Sequence, residues 1–271
     1  MAGRHLQPEL EAELVEVAGL LADVAGMAAV RLFRSSQLTA ENKADEGWDP
    51  VTEADRQSEL AMRRVLAARR PTDGVHGEEF EPVTGSSGLT WVLDPIDGTR
   101  AFVSGIPVWG VLISVSDMNG PLYGVIDQPY IGERFEGGFG RAVMRGPYGR
   151  RSLSTRATHQ IENAVLCTTF PEIGTDAEKR TFQSLSGQVL LTRYGLDCYS
   201  YGLLALGQID LVVEAGMKPF DVHAPIAVVQ AAGGIATDWA GGACHDGGRI
   251  IAAATEELHA TAVGILAEGL A

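Results

Sequence analysis

The chain has 271 residues, of which 45% are hydrophobic, enough for one large domain or two closely packed halves, and this argues against a disordered polypeptide. A formal charge of −14, from 21 basic and 35 acidic side chains, disfavours nucleic acid and anionic membranes as partners because the surface field repels them. An anionic substrate would need local cations to overcome that field, and bound metal is the economical source.

Glycine is abundant, at 33 residues, which suggests short strands, tight turns and close backbone approaches, a better fit to a layered αβ protein than to a helical bundle. Cys167, Cys198 and Cys244 are widely separated and form no metal-ligand spacing, so they read as small core residues. The N-terminal MAGRHLQPELEAEL has acids where a secretory signal has its apolar run. No uninterrupted apolar stretch reaches membrane-spanning length, and a cytoplasmic enzyme is expected.

In chain order, apolar residues at Leu10, Leu14, Val17, Leu21, Val24, Ala28 and Leu32 predict an amphipathic helix from Pro8 to about Phe33. The stretch ENKADEGWDPV reads as a loop. Thr52 with Asp55 matches a capping box, predicting a second helix through Arg69 that Pro71 stops. Trp91 to Leu93 is expected as a buried strand running into DPIDGT. Val108–Val115 and Leu122–Ile126, rich in β-branched residues, follow as strands.

After Gly146 the pattern alternates: strand 164–168, helix 176–185, strand 189–192, helix 199–206 and strand 211–214. A helix from Asp221 to Ala231, strands near Ile235 and Ile250, and a helix opening at Thr255 complete a mixed αβ chain. The expected organisation is an N-terminal half, 1–146, and a C-terminal half, 147–271, without an internal repeat.

The most informative run is Trp91-Val-Leu-Asp-Pro-Ile-Asp-Gly-Thr-Arg100, which places two carboxylates three residues apart at a strand end. Pro95 restricts the backbone, and Gly98 permits a conformation that exposes amide groups. Two carboxylates held that close repel one another unless a cation lies between them, and oxygen-only ligation suits a hard ion such as Mg²⁺. Asp, Pro and Gly are also what ordinary turns are made of, so the turn by itself is equally consistent with a structural role. Its context adds weight: Asp49-Pro-Val-Thr-Glu-Ala-Asp55 and His76-Gly-Glu-Glu79 stand upstream, and Lys218-Pro-Phe-Asp221 stands downstream.

These segments resemble the inositol-monophosphatase superfamily, whose signatures stand here as Gly77-Glu78-Glu79, Asp94-Pro95-Ile96-Asp97-Gly98-Thr99, and Asp221 followed by Ala232-Gly233-Gly234. The resemblance runs in the family's order from residue 43 to 254. Within the superfamily, TRAFVSGIPVWGVLISV, GVIDQPYIGERFEG and RYGLDCYSYGLLALGQIDLVVEAG are most similar to histidinol-phosphate phosphatases. Arg100-Ala101-Phe102 departs from the T-N-F continuation usual in inositol enzymes and from the K-E-F of the 3′-nucleotidase branch.

The resemblance implies an αβαβα sandwich of the inositol monophosphatase and fructose-bisphosphatase type, two to three Mg²⁺ ions per site with Mn²⁺ as a substitute, and a homodimer. It implies that Glu78, Asp94 and the Ile96 carbonyl hold one metal, and that Asp94, Asp97 and Asp221 hold a second. Two cations on opposite sides of a phosphate stabilise both the attacking and the leaving oxygen. The ester phosphate is expected on the Gly98 and Thr99 amides. Thr99 and Asp55 match the pair that orients the nucleophilic water, with the Thr99 hydroxyl donating to Asp55, although Asp55 also fits the capping box with Thr52.

Glu79 is expected to support the metal ligands rather than join them. Lys43 matches a family lysine near the site, while a lone lysine is more commonly solvated surface. Glu214 is the leading specificity candidate, positioned to contact the alcohol moiety; the alternative is a glutamate at an exposed strand end. Asp197, Tyr199 and Tyr201 either line the same pocket or pack their helix. Arg100 either reaches substrate or a neighbouring subunit or takes the commoner fate of a surface salt bridge. His76, His223 and His245 read as packing or surface residues.

The expected reaction is hydrolysis of histidinol phosphate, a small phosphomonoester, to histidinol and phosphate. Inositol monophosphate is the alternative substrate, followed by related sugar and nucleotide phosphates. A metal-binding regulator that keeps the fold without catalysis is the alternative of a different class.

Overall fold

The computed structural model describes residues 6–43, 48 and 50–270. The long amphipathic helix is α1, Pro8–Leu32, whose buried stripe runs through Leu14, Val17, Leu21 and Ala25. The stretch expected as a loop is instead bounded by two short strands, β1 (Ala40–Asn42) and β2 (Pro50–Thr52), which pair antiparallel. All three β1 residues are exposed, so no alternation marks the strand in the sequence. Residues 44–47 and Asp49 lie outside the described residues.

Helix α2, Glu53–Arg69, opens with the anticipated capping box: Asp55 Oδ2 accepts from the Thr52 amide at 2.8 Å and from its hydroxyl at 2.6 Å. β3 (Gly74–Gly77) and β4 (Thr90–Asp97) follow, and β4 extends well beyond the expected Trp91–Leu93. A one-turn helix α3 (Thr99–Val103) leads into the strands β5 (Gly110–Asp117), β6 (Gly120–Gln128), β7 (Glu133–Gly138), β8 (Arg141–Gly146) and β9 (Gly149–Ser152). β3 through β9 form a seven-stranded sheet in chain order. It is antiparallel except for the β3–β4 pair. β9 pairs with β8, so this sheet ends at Ser152.

The remaining elements are β10 (Val165–Thr168), α4 (Asp176–Ser186), β11 (Leu191–Tyr194), α5 (Tyr199–Ala205), β12 (Leu211–Met217), α6 (Pro219–Ala231), β13 (Ile235–Thr237), β14 (Gly248–Ala253) and α7 (Glu256–Leu270). The second sheet has the order β11-β10-β12-β14-β13.

Three apolar clusters define the layers. Leu14, Leu21 and Met62 of α1 and α2 pack on Trp91, Ile113 and Val125 of the first sheet. On its other face, Leu112, Ile126 and Phe135 meet Tyr201, Val222 and Val228 of α5 and α6, which also meet Val212 and Ala252 of the second sheet. The outer face of that sheet, through Leu166, Val213 and Ile251, covers Phe182 of α4 and Leu258 and Leu266 of α7. The result is an αβαβα sandwich. α6, apolar on all sides, is the helix such a middle layer requires.

Candidate active site

The two carboxylates of the DPIDGT turn are brought to one side by an irregularity in β4. Side chains three apart on a regular strand point to opposite faces. Here Asp94 pairs with Leu112 and Asp97 with Gly110, so three steps along β4 oppose two along β5. The extra residue is a β-bulge at Pro95 and Ile96, where proline's missing amide donor fits a broken ladder. The Ile96 amide donates instead to Asp94 Oδ1 at 3.0 Å.

After the bulge, Gly98 adopts φ +81°, a left-handed conformation that costs an L-residue about 1–2 kcal/mol. A Cβ there would come within 2.9 Å of Asp197 Cγ, so glycine is required by space as well as by conformation. Asp221 arrives from the first turn of α6, where Oδ2 accepts from the Lys218 amide at 2.6 Å. The helix N-terminus favours a carboxylate at that position.

One oxygen each of Asp94, Asp97 and Asp221 lie within 4.8 Å of one another. Burial pushes the Asp94 carboxyl well above the usual carboxylate range, and the charges of Glu78, Asp97 and Asp221 raise it further. Asp97 is likewise raised, by burial and then by Asp197 and Asp221, against the lowering effect of a 2.7 Å hydrogen bond from the Cys198 amide. The cluster is made of oxygen donors and repels itself, an arrangement that a hard divalent cation relieves. With no histidine or cysteine in the donor set, Zn²⁺ is the poorer fit.

Glu78, Asp94, Ile96, Asp97, Gly98, Thr99, Arg100, Asp197, Glu214 and Asp221 line one cavity of about 250 Å³. Asp55, Lys43 and Glu79 do not line it. Asp55 is buried, and its carboxyl is raised to about 6, chiefly by burial against the hydrogen bonds from Thr52. Its Oδ1 is buried without a hydrogen-bond partner among the described residues. The expected bond from Thr99 is not made: the Thr99 hydroxyl donates to the Ile96 carbonyl at 3.1 Å, while Thr52 engages the other oxygen of Asp55.

Glu78 is raised to about 7, first by burial, with the Lys43 ammonium pulling the other way. Lys43 is exposed but paired: its Nζ donates to Glu78 Oε1 and to Glu79 Oε1, both at 2.8 Å. Burial pulls Lys43 down, but these two carboxylates outweigh it and hold its pKa above the ordinary value.

Glu214 is 5% exposed, not a strand-end surface residue. It accepts from Thr168 Oγ1 at 3.1 Å, the Thr169 amide at 2.7 Å and Thr169 Oγ1 at 2.9 Å. Burial nonetheless pushes it up to about 7. Asp197 is raised to about 6 by burial, with Arg100 lowering it. Among the described residues Arg100 makes no salt bridge; its guanidinium donates to the Trp48 carbonyl and lies 5.0 Å over the Phe170 ring.

Tyr199 and Tyr201 do not line the cavity. The Tyr199 hydroxyl donates to Glu133 at 2.7 Å, and Tyr201 is buried in the middle layer. His223 is held by Ser116 at 2.7 Å and the His245 carbonyl at 2.9 Å, away from the cavity. Thr169, Phe170 and Met217 line the cavity without having been anticipated. Thr169 and Phe170 follow β10, so strand-end position was the available signal. A larger cleft of about 930 Å³ lies between α1 and β6–β8. Its acids Asp23 and Asp127 are both paired to Arg134, leaving no comparable anionic cluster.

Known proteins share both sequence and fold. The chain is 38% identical over 227 residues to the bifunctional phosphatase IMPL2, chloroplastic, of Arabidopsis thaliana, covering 83% of this chain and 64% of that one. It is 35% identical over 225 residues to the histidinol-phosphatase of Mycobacterium tuberculosis, covering 81% and 85%. The solved structure of an inositol monophosphatase from Zymomonas mobilis superposes with a TM-score of 0.84 at 36% identity, over 97% of this chain and all of that one. The inositol monophosphatase family as a whole matches residues 10–270, and the chain belongs to that family.

Proposed function

We propose that this inositol monophosphatase-family phosphatase hydrolyses L-histidinol phosphate to L-histidinol and phosphate in a Mg²⁺-dependent reaction, with Mn²⁺ as a substitute. The observation that carries the reading is the acidic wall of the cavity. Asp94, Asp97 and Asp221 gather in one cluster, and the half-buried Asp197 and the buried Glu214 line the same space. A dianionic phosphate requires the cluster to hold cations, and the further two carboxylates suit an alcohol bearing an ammonium or imidazole group. Similarity to histidinol-phosphatases, including the 35% identical one, supports that substrate.

Asp94, Asp97 and Asp221, with Glu78 and the Ile96 carbonyl, would hold the Mg²⁺ ions, which when bound neutralise the phosphate and stabilise the attacking and leaving oxygens. The Gly98 and Thr99 amides orient the phosphate. Thr99 and Asp55 orient the nucleophilic water and take up its proton. The unpartnered Oδ1 of Asp55, with a carboxyl raised to about 6, supports this role: at neutral pH it is an ionised acceptor with basicity above that of an ordinary carboxylate. In this role the Thr99 hydroxyl would leave the Ile96 carbonyl, to which it now donates, and turn to Asp55. Glu214 and Asp197 hold the cationic alcohol. A homodimer in the cytoplasm is part of the same proposal. No described helix is long and apolar enough to cross a membrane.

Inositol monophosphate is the second reading, favoured by the fold shared with the Zymomonas mobilis enzyme. The deciding experiment is phosphate release from L-histidinol phosphate and myo-inositol 1-phosphate in parallel, with Mg²⁺ and with excess EDTA. Metal-dependent preference for histidinol phosphate is expected. Preference for inositol phosphate overturns the substrate and keeps the mechanism, and release from neither overturns both.

A further inference from the structure

Glu59 lies one helical turn after Asp55 on α2, and both are buried, Glu59 completely. Side chains four apart share a helix face, so Glu59 continues the face that carries Asp55 toward the Gly77–Phe80 segment. A glutamate at full burial is costly unless its oxygens are paired. Its Oε1 accepts from Arg63 Nε and its Oε2 from the backbone amide of Glu79, both at 2.7 Å. Arg63 in turn donates through Nη2 to the Phe80 carbonyl at 2.9 Å and lies over the Phe80 ring. On the other side of Glu78, a Cβ placed on Gly77 would come within 2.0 Å of Glu59 Oε1.

The carboxylate of Glu59 therefore packs against the residue before Glu78 and bonds the residue after it. Glu78 is bracketed through its own backbone. Stability alone does not call for this arrangement, since a buried ion pair is often replaced by apolar residues at no loss. What the polar pair supplies is an acceptor aimed at one particular amide, backed by an arginine that grips the next carbonyl.

We propose that Glu59, backed by Arg63, is a positioning residue of the acidic site, holding the Gly77–Phe80 segment so that the Glu78 carboxylate stays in register with Asp94 and Asp55. The inference rests on Glu78 serving as a metal ligand. Glu59 touches neither substrate nor metal and acts only through the backbone around Glu78.

The test compares the full chain with Glu59→Gln, Glu59→Ala, Arg63→Met, Glu78→Gln and Asp94→Asn. The readouts are Mg²⁺ affinity by calorimetry, hydrogen exchange at the Glu79 and Phe80 amides in EDTA, and Tm. Glu59→Ala is expected to speed exchange at Glu79 and to weaken Mg²⁺ binding about tenfold, the lower end of the usual effect of losing a ligand's support. Arg63→Met should act in the same direction and carries the test should Glu59→Ala not fold. Glu59→Gln keeps one acceptor for the Glu79 amide but turns an NH2 toward Arg63 Nε, so its exchange and Mg²⁺ affinity should fall between wild type and Glu59→Ala.

A lower Tm in Glu59→Ala and Arg63→Met with unchanged Mg²⁺ affinity, while Glu78→Gln weakens binding, overturns the positioning role. Unchanged affinity in Glu78→Gln, with a loss in Asp94→Asn, removes Glu78 from the ligands and the inference with it. Unchanged affinity in Asp94→Asn as well strikes the metal reading itself.

Discussion

The Cys198 amide donates a 2.7 Å hydrogen bond to Asp97 Oδ2, joining residues 101 positions apart. The bond ties the bulged end of β4 to the turn that opens α5, and so links the first sheet to the middle helix layer. It also brings Asp197, whose backbone takes the left-handed φ of +46°, against Gly98. One carboxylate oxygen of Asp97 is thereby fixed, and the cavity acquires a wall from each half of the chain.

Asp94→Asn should lower kcat by at least about a hundredfold, as expected when a metal site loses a central ligand. In EDTA the same variant should melt at or above the wild-type Tm, because one of several mutually repelling buried carboxylates is gone. Steady-state kinetics and thermal melts check both halves. Wild-type turnover would remove Asp94 from the catalytic centre.

Thr99→Ala should reduce kcat by about 10²-fold or more, with Mg²⁺ affinity little changed, since the hydroxyl is assigned to the water rather than to the metal. Kinetics and calorimetry on one preparation separate the two effects. Unchanged kcat would leave the hydroxyl only its present bond to the Ile96 carbonyl.

Glu214→Gln should raise KM for histidinol phosphate and should also change the pH dependence of stability. Burial pushes Glu214 up to about 7, whereas in the unfolded chain it ionises near ~4.3. Between these values the folded state retains a proton that the unfolded state has lost, so this residue's contribution to stability falls as pH rises and levels off above about 7. Metal-free wild type should therefore lose on the order of 5 °C more than Glu214→Gln between pH 5 and 8. His223, lowered to about 4 by burial, tilts stability the other way at the acidic end, but it is common to both proteins and cancels in the difference. Parallel pH profiles would remove the perturbed carboxyl.

Gly98→Ala should cost about 1–2 kcal/mol for the left-handed conformation alone, plus a displacement of Asp197 to relieve the 2.9 Å approach. Urea denaturation measures the stability, and KM for histidinol phosphate reports the wall. A variant with wild-type stability and KM would show that neither constraint matters in solution.

Apolar periodicity was sufficient to place α1, the capping box and Pro71 placed α2, and the alternating elements from β10 onward were placed to within a few residues, because those signals are local, whereas β9 carries no such signal. The GEE, DPIDGT and Asp221 segments likewise named part of the cavity lining, Glu78, Asp94, Ile96, Asp97, Gly98, Thr99 and Asp221, and their order carried the family. The sequence also offered Asp55 two roles. The structure shows it in the capping box with Thr52, leaving one oxygen without a partner among the described residues, so the cap does not use up the atom the proposed second role needs.

Only the tertiary structure decided which acids are held by what. The bulge that turns Asp94 and Asp97 to one side is a property of pairing with β5, and periodicity along β4 alone would have separated them. Lys43 found two carboxylates more than thirty positions away, and Glu214 found Thr168 and Thr169 more than forty positions away. Glu59 met the Glu79 amide across twenty positions of sequence. Hydrophobic patterning reports which face of an element is buried, whereas a charge's environment depends on which distant groups the packed layers bring within a few ångströms, and that leaves no local trace in the chain.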